Sequence, residues 1–375
     1  MTGTRTRALL ALHERGTISR SDLGSVLGIT RSTAASVAIE LCRTGFAEES
    51  GGMSGHVGRP SLTLRAIPSS LVIVSVELRV DSCHALAYGF GGTHLGHESV
   101  IRDMADIDPA EAARIVTDLV GVVAQSLPAG SRWAGISVAI PGIVDERTGF
   151  VAYAPHLGWR DVEWGALLRS SLDAERPVSF ANDANLGAMG EYLRGAGRGV
   201  YAMLYVSGGI GIGGGYVDRG RLRTGGAGSA GEIGHIPVDP QGAACRCGAR
   251  GCWETRIGRE VIAASWEGTF DDLVDAAYAG DARAVAIVQD AGRWLGIGLR
   301  GVIAITDPAR VVLGAHLAQL LPLVIGQVRE ECATLPQMRA GRVEIVGGAL
   351  GDDAALIGGG EVSVMSAIEG TLTAF

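Results

Sequence analysis

The stretch Gly231–Glu254 reads GEIGHIPVDPQGAACRCGARGCWE and places one imidazole and three thiols within a short segment. The four side chains are His235, Cys245, Cys247 and Cys252. Zinc prefers four tetrahedral nitrogen and sulfur ligands, which a Cys-x-Cys pair with a nearby Cys and His can supply. The glycines Gly248 and Gly251 allow the tight turns that such a loop needs. We therefore predict a structural zinc loop; the alternative is buried or disulfide-bonded cysteines beside an unrelated histidine.

Two carboxylates, Glu232 and Glu254, bracket this loop, although zinc does not need them. A loop that is folded around a metal can hold both of them rigidly towards one small polar ligand. Carboxylate oxygens are hydrogen-bond acceptors, and fixed acceptors suit the hydroxyl groups of a sugar. The segment therefore predicts a sugar site next to the metal.

The pattern E-x-G-H followed by C-x-C-G-x-x-G-C-x-E resembles the signature of the ROK family of repressors, open reading frames and sugar kinases. Within the family, the chain is similar to the branch of xylose and N-acetylglucosamine repressors. The resemblance implies that His235 and the three cysteines bind zinc. It also implies that Glu232, His235 and Glu254 approach a bound sugar.

The resemblance also implies the fold. We expect an α/β protein with an N-terminal winged helix-turn-helix and two actin-like lobes of the ribonuclease H-like class, with the sugar in the cleft between the lobes. The implied ranges are 1–66 for the DNA-binding domain, 67–187 for the first lobe and 188–351 for the second lobe. A C-terminal helix at about 352–375 is expected to pack back on the first lobe.

The composition is that of a globular protein. Of 375 residues, 47% are hydrophobic, and the length allows two or three domains. Apolar stretches such as Ala134–Ile140 are too short to cross a bilayer, and no signal-peptide core is recognisable, so we expect a cytoplasmic protein. Six cysteines in so long a chain do not form a disulfide framework. We expect Cys42, Cys83 and Cys332 to be reduced core residues.

The net charge of −8 is unevenly distributed. Residues 1–65 contain eight Arg against five acidic residues, whereas the remaining 310 residues contain 24 Arg against 35 acidic residues. Because an acidic surface repels nucleic acid, any contact with DNA is predicted for the first segment.

The first 45 residues predict three helices separated by glycine turns. The first helix spans Thr6 to Glu14, Ser19 caps the second, and the third begins after a Thr30 cap and ends near Arg43. Several apolar side chains of the second and third helices are expected to face inward: Leu23, Val26, Leu27, Val37, Ile39 and Leu41. This is the layout of a helix-turn-helix, whose second helix enters the major groove.

The DNA-reading residues of this unit are predicted at the start of the third helix: Arg31, Ser32, Thr33 and Ser36. Phe46–Leu64 predicts two strands around a glycine-rich tip, the wing of a winged helix. There Gly58-Arg59-Pro60 can place Arg59 along a narrow minor groove. The alternatives are a plain three-helix packing module and a rigid linker turn, but ROK repressors carry a winged helix here and often a G-R-P.

A second candidate site follows a buried strand at Phe180–Asn185, which reads FANDAN and matches the family's N-D-A-N. The resemblance implies that Asn182 contacts the sugar and that Asp183 occupies the position of the general base in the kinases. The alternative is a helix cap before Leu186–Leu193. In APHLGW (Ala154–Trp159), His156 stands where the family usually has Asn.

Three positions depart from the pattern of the family's kinases. Glu77–Asp81 replaces the phosphate-binding D-x-G-x-T with a segment that has neither Gly nor Thr and carries two carboxylates, which oppose the binding of an anion. Gly209 stands where a Thr is usual in the second phosphate loop, and Ala315 replaces a glycine expected beside adenosine. We therefore expect no enzymatic activity.

The sequence thus predicts a sugar-responsive transcriptional regulator, specifically a repressor of genes for carbohydrate uptake or catabolism. As a homodimer or homotetramer, it would bind a two-fold symmetric operator in double-stranded DNA. The alternatives are an ATP-dependent sugar kinase and a DNA-binding protein whose sugar site is vestigial or serves another ligand.

Overall fold

The computed structural model describes residues 3–51, 62–172, 176–226 and 228–370. The predicted minor-groove residue Arg59 lies outside these ranges. The described chain forms an N-terminal helical region with a small sheet, followed by two α/β lobes that are each built on a five-stranded sheet. This is the predicted α/β architecture, with a winged helix-turn-helix ahead of two actin-like lobes.

The N-terminal region contains three helices and three short strands: α1 Thr4–Arg15, β1 Thr17–Ser19, α2 Arg20–Leu27, α3 Arg31–Arg43, β2 Ala47–Gly51 and β3 Leu62–Ala66. Both predicted caps are present, since the side chains of Ser19 and Thr30 accept hydrogen bonds from backbone N–H groups one turn later. Strand β3 lies between β1 and β2. The sequence did not predict β1, because three residues are too few to show an alternation.

Two apolar side chains that were expected to face inward are exposed. Val26 is 47% exposed and Ile39 is 59% exposed. Helix α3 instead buries Ala34, Ala38 and Leu41, which recur at the spacing of one helix face. Because each residue turns about 100° from the one before it, Ile39 points away from the face that carries Ala38. The prediction for Ile39 was wrong because the buried stripe of α3 runs through Ala34, Ala38 and Leu41 and does not include position 39.

The first lobe follows, with its elements in chain order: β4 Val72–Leu78, β5 Ser82–Gly89, β6 Thr93–Ile101, α4 Pro109–Gln125, β7 Trp133–Ile140, β8 Ile143–Val144, β9 Val151–Ala154, β10 Trp159–Val162, α5 Trp164–Ser171, β11 Val178–Asn182 and α6 Asp183–Leu193. The main sheet has the order β11-β7-β4-β5-β6. Strands β11, β7 and β4 are mutually parallel, so their carboxyl ends meet at one edge of the sheet. Ligands of α/β folds gather at such edges.

The second lobe contains the following elements: β12 Ala202–Gly208, β13 Ile212–Asp218, β14 Arg221–Leu222, α7 Glu254–Ile257, α8 Arg259–Ala263, α9 Phe270–Tyr278, α10 Ala282–Thr306, β15 Arg310–Leu313, α11 Ala315–Cys332, α12 Pro336–Arg339 and β16 Glu344–Gly347. Its sheet has the order β14-β13-β12-β15-β16, with β12, β15 and β16 parallel. The chain then continues into helix α13, Ala354–Glu369. No helix in the described part of the chain is both long and apolar enough to cross a membrane.

The last helix, α13, returns to the first lobe, where it packs against β4, β5, β7 and α6. It also contacts α1 of the N-terminal region. The ranges 1–66, 67–187 and 188–351 remain a proposal for the domains, and residue 187 lies within α6. Cys83 and Cys332 are buried and Cys42 is half-buried, all three as free thiols.

Candidate functional site

The four predicted metal ligands converge in space. The ligand atoms of His235, Cys245, Cys247 and Cys252 all lie within 4.8 Å of one another. Cys245 Sγ is 3.6 Å from His235 Nδ1, and the Sγ atoms of Cys247 and Cys252 are 3.6 Å apart. Tetrahedral zinc with bonds of ~2.3 Å requires sulfur ligands about 3.8 Å apart, whereas a disulfide bond measures about 2 Å. The cluster could therefore hold a metal ion.

The loop that carries these ligands has a shape that depends on one glycine in particular. Gly251 has a φ of +68°, and a Cβ on it would lie 1.5 Å from the carbonyl oxygen of Asp239. No side chain fits there. The end of the loop is anchored by Trp253, which is fully buried and donates from Nε1 to the Trp294 carbonyl at 2.9 Å. Arg256 forms an ion pair with Asp239.

The metal loop borders a cleft of about 530 Å³ between the two lobes. The other walls are the β4–β5 turn, the β7–β8 turn, the start of α6 and the β12–β13 hairpin. All five predicted sugar-binding residues line this one cleft: Asn182, Asp183, Glu232, His235 and Glu254. Residues from two motifs more than 40 positions apart in the sequence thus share a single cavity.

Asn182 begins α6 as its N-cap. Its Oδ1 accepts a hydrogen bond from the Asn185 N–H at 3.0 Å, and its Nδ2 donates to the Gly142 carbonyl at 3.1 Å. The capping role raised as the alternative from the sequence is therefore present. An amide has a second lone pair on oxygen and a second N–H, so Asn182 retains capacity for a ligand in the cleft.

Asp183 follows at the first position of α6, where its Oδ1 accepts from the Ala184 N–H at 2.8 Å. Burial, and after it the negative charge of Glu77, raises the pKa of Asp183 to about 7. Near neutral pH this carboxyl group is therefore partly protonated, so it can either accept a hydrogen bond from a hydroxyl group or donate one to it.

Two carboxylates flank the imidazole of His235. Glu232 Oε2 lies 3.6 Å from His235 Nε2, and Glu254 Oε1 lies 3.6 Å from His235 Nδ1. The thiol of Cys245 also donates to Glu254 Oε1 at 2.9 Å. Burial raises the pKa of Glu232, although His235 opposes this shift. The arrangement provides several fixed acceptors around one side of the cleft.

His156 faces these acceptors from the first lobe. A Cβ on Gly211 would lie 3.1 Å from His156 Nε2 and 3.4 Å from Glu254 Oε2, which places both side chains around that glycine. Burial lowers the pKa of His156, so its imidazole is neutral. Its Nδ1 is buried without a hydrogen-bond partner among the described residues. A neutral imidazole offers one donor and one acceptor at this position.

Arg79 and Tyr153 also line the cleft, and sequence reasoning missed the roles of both. The guanidinium of Arg79 donates to Glu77 Oε2 at 2.6 Å and to the Asp352 carbonyl, so the β4–β5 turn is closed by an ion pair. Tyr153 donates from its hydroxyl to the Arg246 carbonyl at 3.0 Å, which connects β9 with the metal loop. Neither residue belongs to a motif that could have identified it.

Ala315 lies at the opposite wall of the cleft with a φ of +46°. This left-handed backbone is strained for a residue with a Cβ and favours glycine. The backbone conformation that a glycine would adopt is thus retained, although the residue is alanine.

The predicted DNA-reading residues lie on the exposed side of α3. Arg31, Ser32, Thr33 and Ser36 are all exposed. The Ser36 hydroxyl donates to the Ser32 carbonyl at 3.2 Å. Ile39 continues the face that begins with Ser32 and Ser36, since positions i, i+4 and i+7 share one side of a helix. The exposed surface of α3 therefore combines two cations, Arg31 and Arg43, with three hydroxyl groups and one large apolar side chain.

Comparison with known proteins agrees with this architecture. The sequence pattern of the ROK family matches residues 96–362. The xylose repressor of Bacillus subtilis is 27% identical over 350 residues, which cover 91% of this chain and 89% of that protein. A glucokinase of Halalkalibacterium halodurans is 35% identical over 251 residues, covering 60% of this chain and 74% of the enzyme. The crystal structure of a ROK family transcriptional regulator, a homolog of the E. coli MLC protein, superimposes with a TM-score of 0.78 at 24% identity and covers 98% of this chain and 96% of that one.

Proposed function

Because the chain belongs to the ROK family, we propose that it is a sugar-responsive repressor that binds operator DNA through its N-terminal region. One observation carries this proposal. The same chain has an exposed polar face on α3 and a group of fixed hydrogen-bond acceptors in the interlobe cleft. The similarity to a xylose repressor, which extends over nine-tenths of the chain, supports it. The regulated genes would serve the uptake or catabolism of carbohydrate.

The sugar would bind in the interlobe cleft to Asn182, Asp183, Glu232, His235 and Glu254. Carboxylates that are held by the loop and by the start of α6 can accept hydrogen bonds from several hydroxyl groups at once. Such a ligand changes the affinity for DNA only through the difference in its own affinity for the two states of the protein.

Zinc would bind to His235, Cys245, Cys247 and Cys252. The donor set of one imidazole and three thiols is that of a closed structural site with no open position for catalysis. In this role the metal would fix the loop that carries Glu232 and Glu254 at its ends. It would supply no chemistry to a ligand.

Operator DNA would be contacted by Arg31, Ser32, Thr33 and Ser36 of α3 in the major groove, and by Arg59 in the minor groove. An exposed Ile39 on the same face could contact the methyl group of a thymine. A homodimer or homotetramer would present two such helices to half-sites that lie one or two turns of DNA apart.

A sugar kinase is the second candidate, favoured by the 35% identity to a glucokinase and by Asp183 in the cleft. The closed Arg79–Glu77 turn, Gly209 and Ala315 argue against an ATP site. A coupled assay with ATP and a panel of hexoses decides between them. Turnover by the wild-type protein that disappears in Asp183→Asn would establish the kinase. We expect no turnover.

Calorimetry with free hexoses, amino sugars and pentoses tests the sugar site. We expect one sugar to bind, and Glu254→Gln to weaken it about tenfold or more, because a hydrogen bond to a charged group contributes about 1.5–3 kcal/mol. Glu260→Gln, at an exposed residue of α8, is the matched control and should leave the affinity unchanged. If no sugar produces heat, the site is vestigial or serves another ligand.

A further inference from the structure

The last turn of α1 is held by an arginine from the lobes. Arg194, which directly follows α6, donates from its guanidinium to the Glu14 carbonyl at 2.8 Å and to the His13 carbonyl at 2.9 Å. Carbonyl groups in the last turn of a helix have no partner within that helix. The C-terminal end of a helix in the DNA-binding region is therefore capped by a side chain from the lobes.

The same guanidinium takes part in a buried ion pair. Its Nε donates to Glu361 Oε1 at 2.7 Å, and the Tyr88 hydroxyl also donates to this oxygen. The side chain of Glu361 is 3% exposed and that of His13 is 2% exposed. We refer to His13, Tyr88, Arg194 and Glu361 as the head clasp. Removing one partner of a buried charge pair is costly because it leaves the other charge buried without compensation.

The tautomer of His13 follows from its neighbours. The Gly91 N–H donates to His13 Nδ1 at 2.9 Å, so this nitrogen must be the acceptor. The proton then lies on Nε2, which is 3.1 Å from Glu361 Oε1 and can donate to it. The donor and the acceptor of each hydrogen bond in the head clasp are thus defined, and α1 has one preferred position on the lobes.

Helix α6 joins the head clasp to the cleft. It begins at the Asn182 cap and Asp183, which line the cleft, and it ends at Leu193, immediately before Arg194. Its 11 residues correspond to a rod of roughly 16 Å at 1.5 Å per residue. A single short helix therefore has the proposed sugar site at one end and the head clasp at the other.

Helices α6 and α13 are packed in close backbone contact. A Cβ on Gly190 would lie 2.3 Å from the Ala354 carbonyl oxygen, and one on Gly358 would lie 1.8 Å from that of Leu186. The carboxylate of the buried Glu191 accepts hydrogen bonds from the N–H groups of residues 349 and 350, just ahead of α13. Because Glu361 belongs to α13, a shift of this pair of helices displaces two members of the head clasp together.

The helices of the N-terminal region share one core. Leu9 and Leu12 of α1 share a continuous core with Ala38 and Leu41 of α3. Side chains of β5 and α13 extend the same core into the first lobe. A change in the position of α1 on the lobes would therefore also move the exposed face of α3.

We propose that α6 and the head clasp transmit occupancy of the cleft to the DNA-binding region, with Arg194 as the positioning residue that couples the two sites. The inference rests on the proposed function and adds its mechanism of regulation. A sugar that contacts Asn182 or Asp183 differently in the two states biases the position of α6. Arg194 converts this bias into a new orientation of α1.

The test compares Arg194→Lys with Arg198→Lys, an exposed arginine on the same loop. The lysine at 194 keeps a positive charge beside Glu361, but a single ammonium group cannot span the carboxylate and both carbonyls as the guanidinium fork does. Tyr88→Phe is the second variant, since it removes one hydroxyl from the head clasp and leaves the charges in place. All are made in the full chain.

Two readouts are needed, one of them independent of the proposed function. Amide hydrogen exchange of residues 4–15, measured without ligand, reports how firmly α1 is seated. We expect exchange at the end of α1 to be about tenfold faster in Arg194→Lys, less affected in Tyr88→Phe, and unchanged in Arg198→Lys, because exchange follows local opening. Exchange at the wild-type rate in Arg194→Lys would overturn the head clasp.

The second readout is the ratio of operator affinities with and without D-xylose or D-glucose, with sugar binding measured separately by calorimetry. Wild-type protein should show a ratio of about 5–150, the usual range of allosteric coupling. In Arg194→Lys the ratio should approach 1 while the sugar affinity stays within about twofold. If Arg194→Lys keeps the wild-type ratio of operator affinities, the proposed coupling is wrong, but the proposed function is unaffected. A wild-type protein whose affinity for DNA ignores every sugar overturns the coupling together with the proposed function.

Discussion

The thiol of Cys245 donates a hydrogen bond to Oε1 of Glu254 across 2.9 Å, and this contact joins the metal loop to the cleft. Zinc binds cysteine as a thiolate, which has no proton to donate. Metal binding would therefore end this hydrogen bond and leave Glu254 free to accept one from a ligand. Metal binding and the proposed sugar site would thus be coupled through one carboxylate.

Cys247→Ser should lose both the metal and the sugar response. Structural zinc contributes on the order of 10 kcal/mol to the folding of small finger peptides, so the loop should unfold locally without it. The wild-type protein, prepared under reducing conditions, should contain one zinc per chain by elemental analysis.

Cys42→Ser is the matched control, because Cys42 is half-buried and lies in α3, outside the metal loop. It should keep the metal. If the wild-type protein contains no zinc when it is purified under reducing conditions, the proposed zinc site is wrong.

Asp183→Asn should change how stability depends on pH. The pKa of Asp183 is raised to about 7, first by burial and then by Glu77. The native state therefore binds a proton that the unfolded chain has lost above about pH 4. The contribution of Asp183 to native stability is therefore greatest below that pH, falls as the pH rises towards 7, and is then level because the group is ionised in both states.

The amide in Asp183→Asn cannot ionise, so the free energy of unfolding of the variant should increase relative to that of the wild type as the pH rises. We expect an advantage of about 2 kcal/mol or more at pH 8, since one pKa unit corresponds to ~1.4 kcal/mol. Urea denaturation between pH 5 and pH 8 measures it, with Asp118→Asn on the exposed face of α4 as the control. A difference between variant and wild type that is the same at every pH would contradict the assigned pKa.

Ala315→Gly should stabilise the protein. The φ of +46° at Ala315 costs an ordinary residue about 1 kcal/mol, which glycine does not incur. Ala318→Gly, within α11, is the opposite control and should destabilise by about 1 kcal/mol because glycine is a poor helix former. Urea denaturation of both variants provides the comparison, and equal losses in the two would show that Ala315 is not strained.

Arg31→Ala should weaken operator binding by about 1–3 kcal/mol and relax the preference at one base pair, as expected for an arginine that reads a base edge. Arg43→Ala is the control, since Arg43 is also exposed but lies in the last turn of α3. Binding to a set of operator variants measures both quantities. A uniform loss over all sequences would instead assign Arg31 to a phosphate.

Much of the fold and of the cleft could be predicted because their signals are local. The caps Ser19 and Thr30 and the spacing of the three cysteines are read within a few residues. The convergence of Asp183 with Glu254 is not local, and it was predicted only through the resemblance to a family.

The contacts that no motif marks could not be predicted. Arg194 meets His13 across 181 positions and Glu361 across 167, and nothing in the sequence pairs these residues. The exposure of Ile39 was missed for a different reason. Apolar character was taken as the sign of burial, whereas the buried stripe of α3 consists of Ala34, Ala38 and Leu41 and leaves Ile39 outside it.

Sugar-responsive repression can be tested by fluorescence anisotropy of DNA from upstream of the gene that encodes this protein, titrated with the protein in the presence of a panel of free sugars. We expect nanomolar to submicromolar binding at moderate salt, with an affinity that one sugar changes at least about fivefold. Tight binding that is indifferent to every sugar would contradict sugar-responsive repression, and a chain that binds no DNA but phosphorylates a hexose would replace it with a kinase.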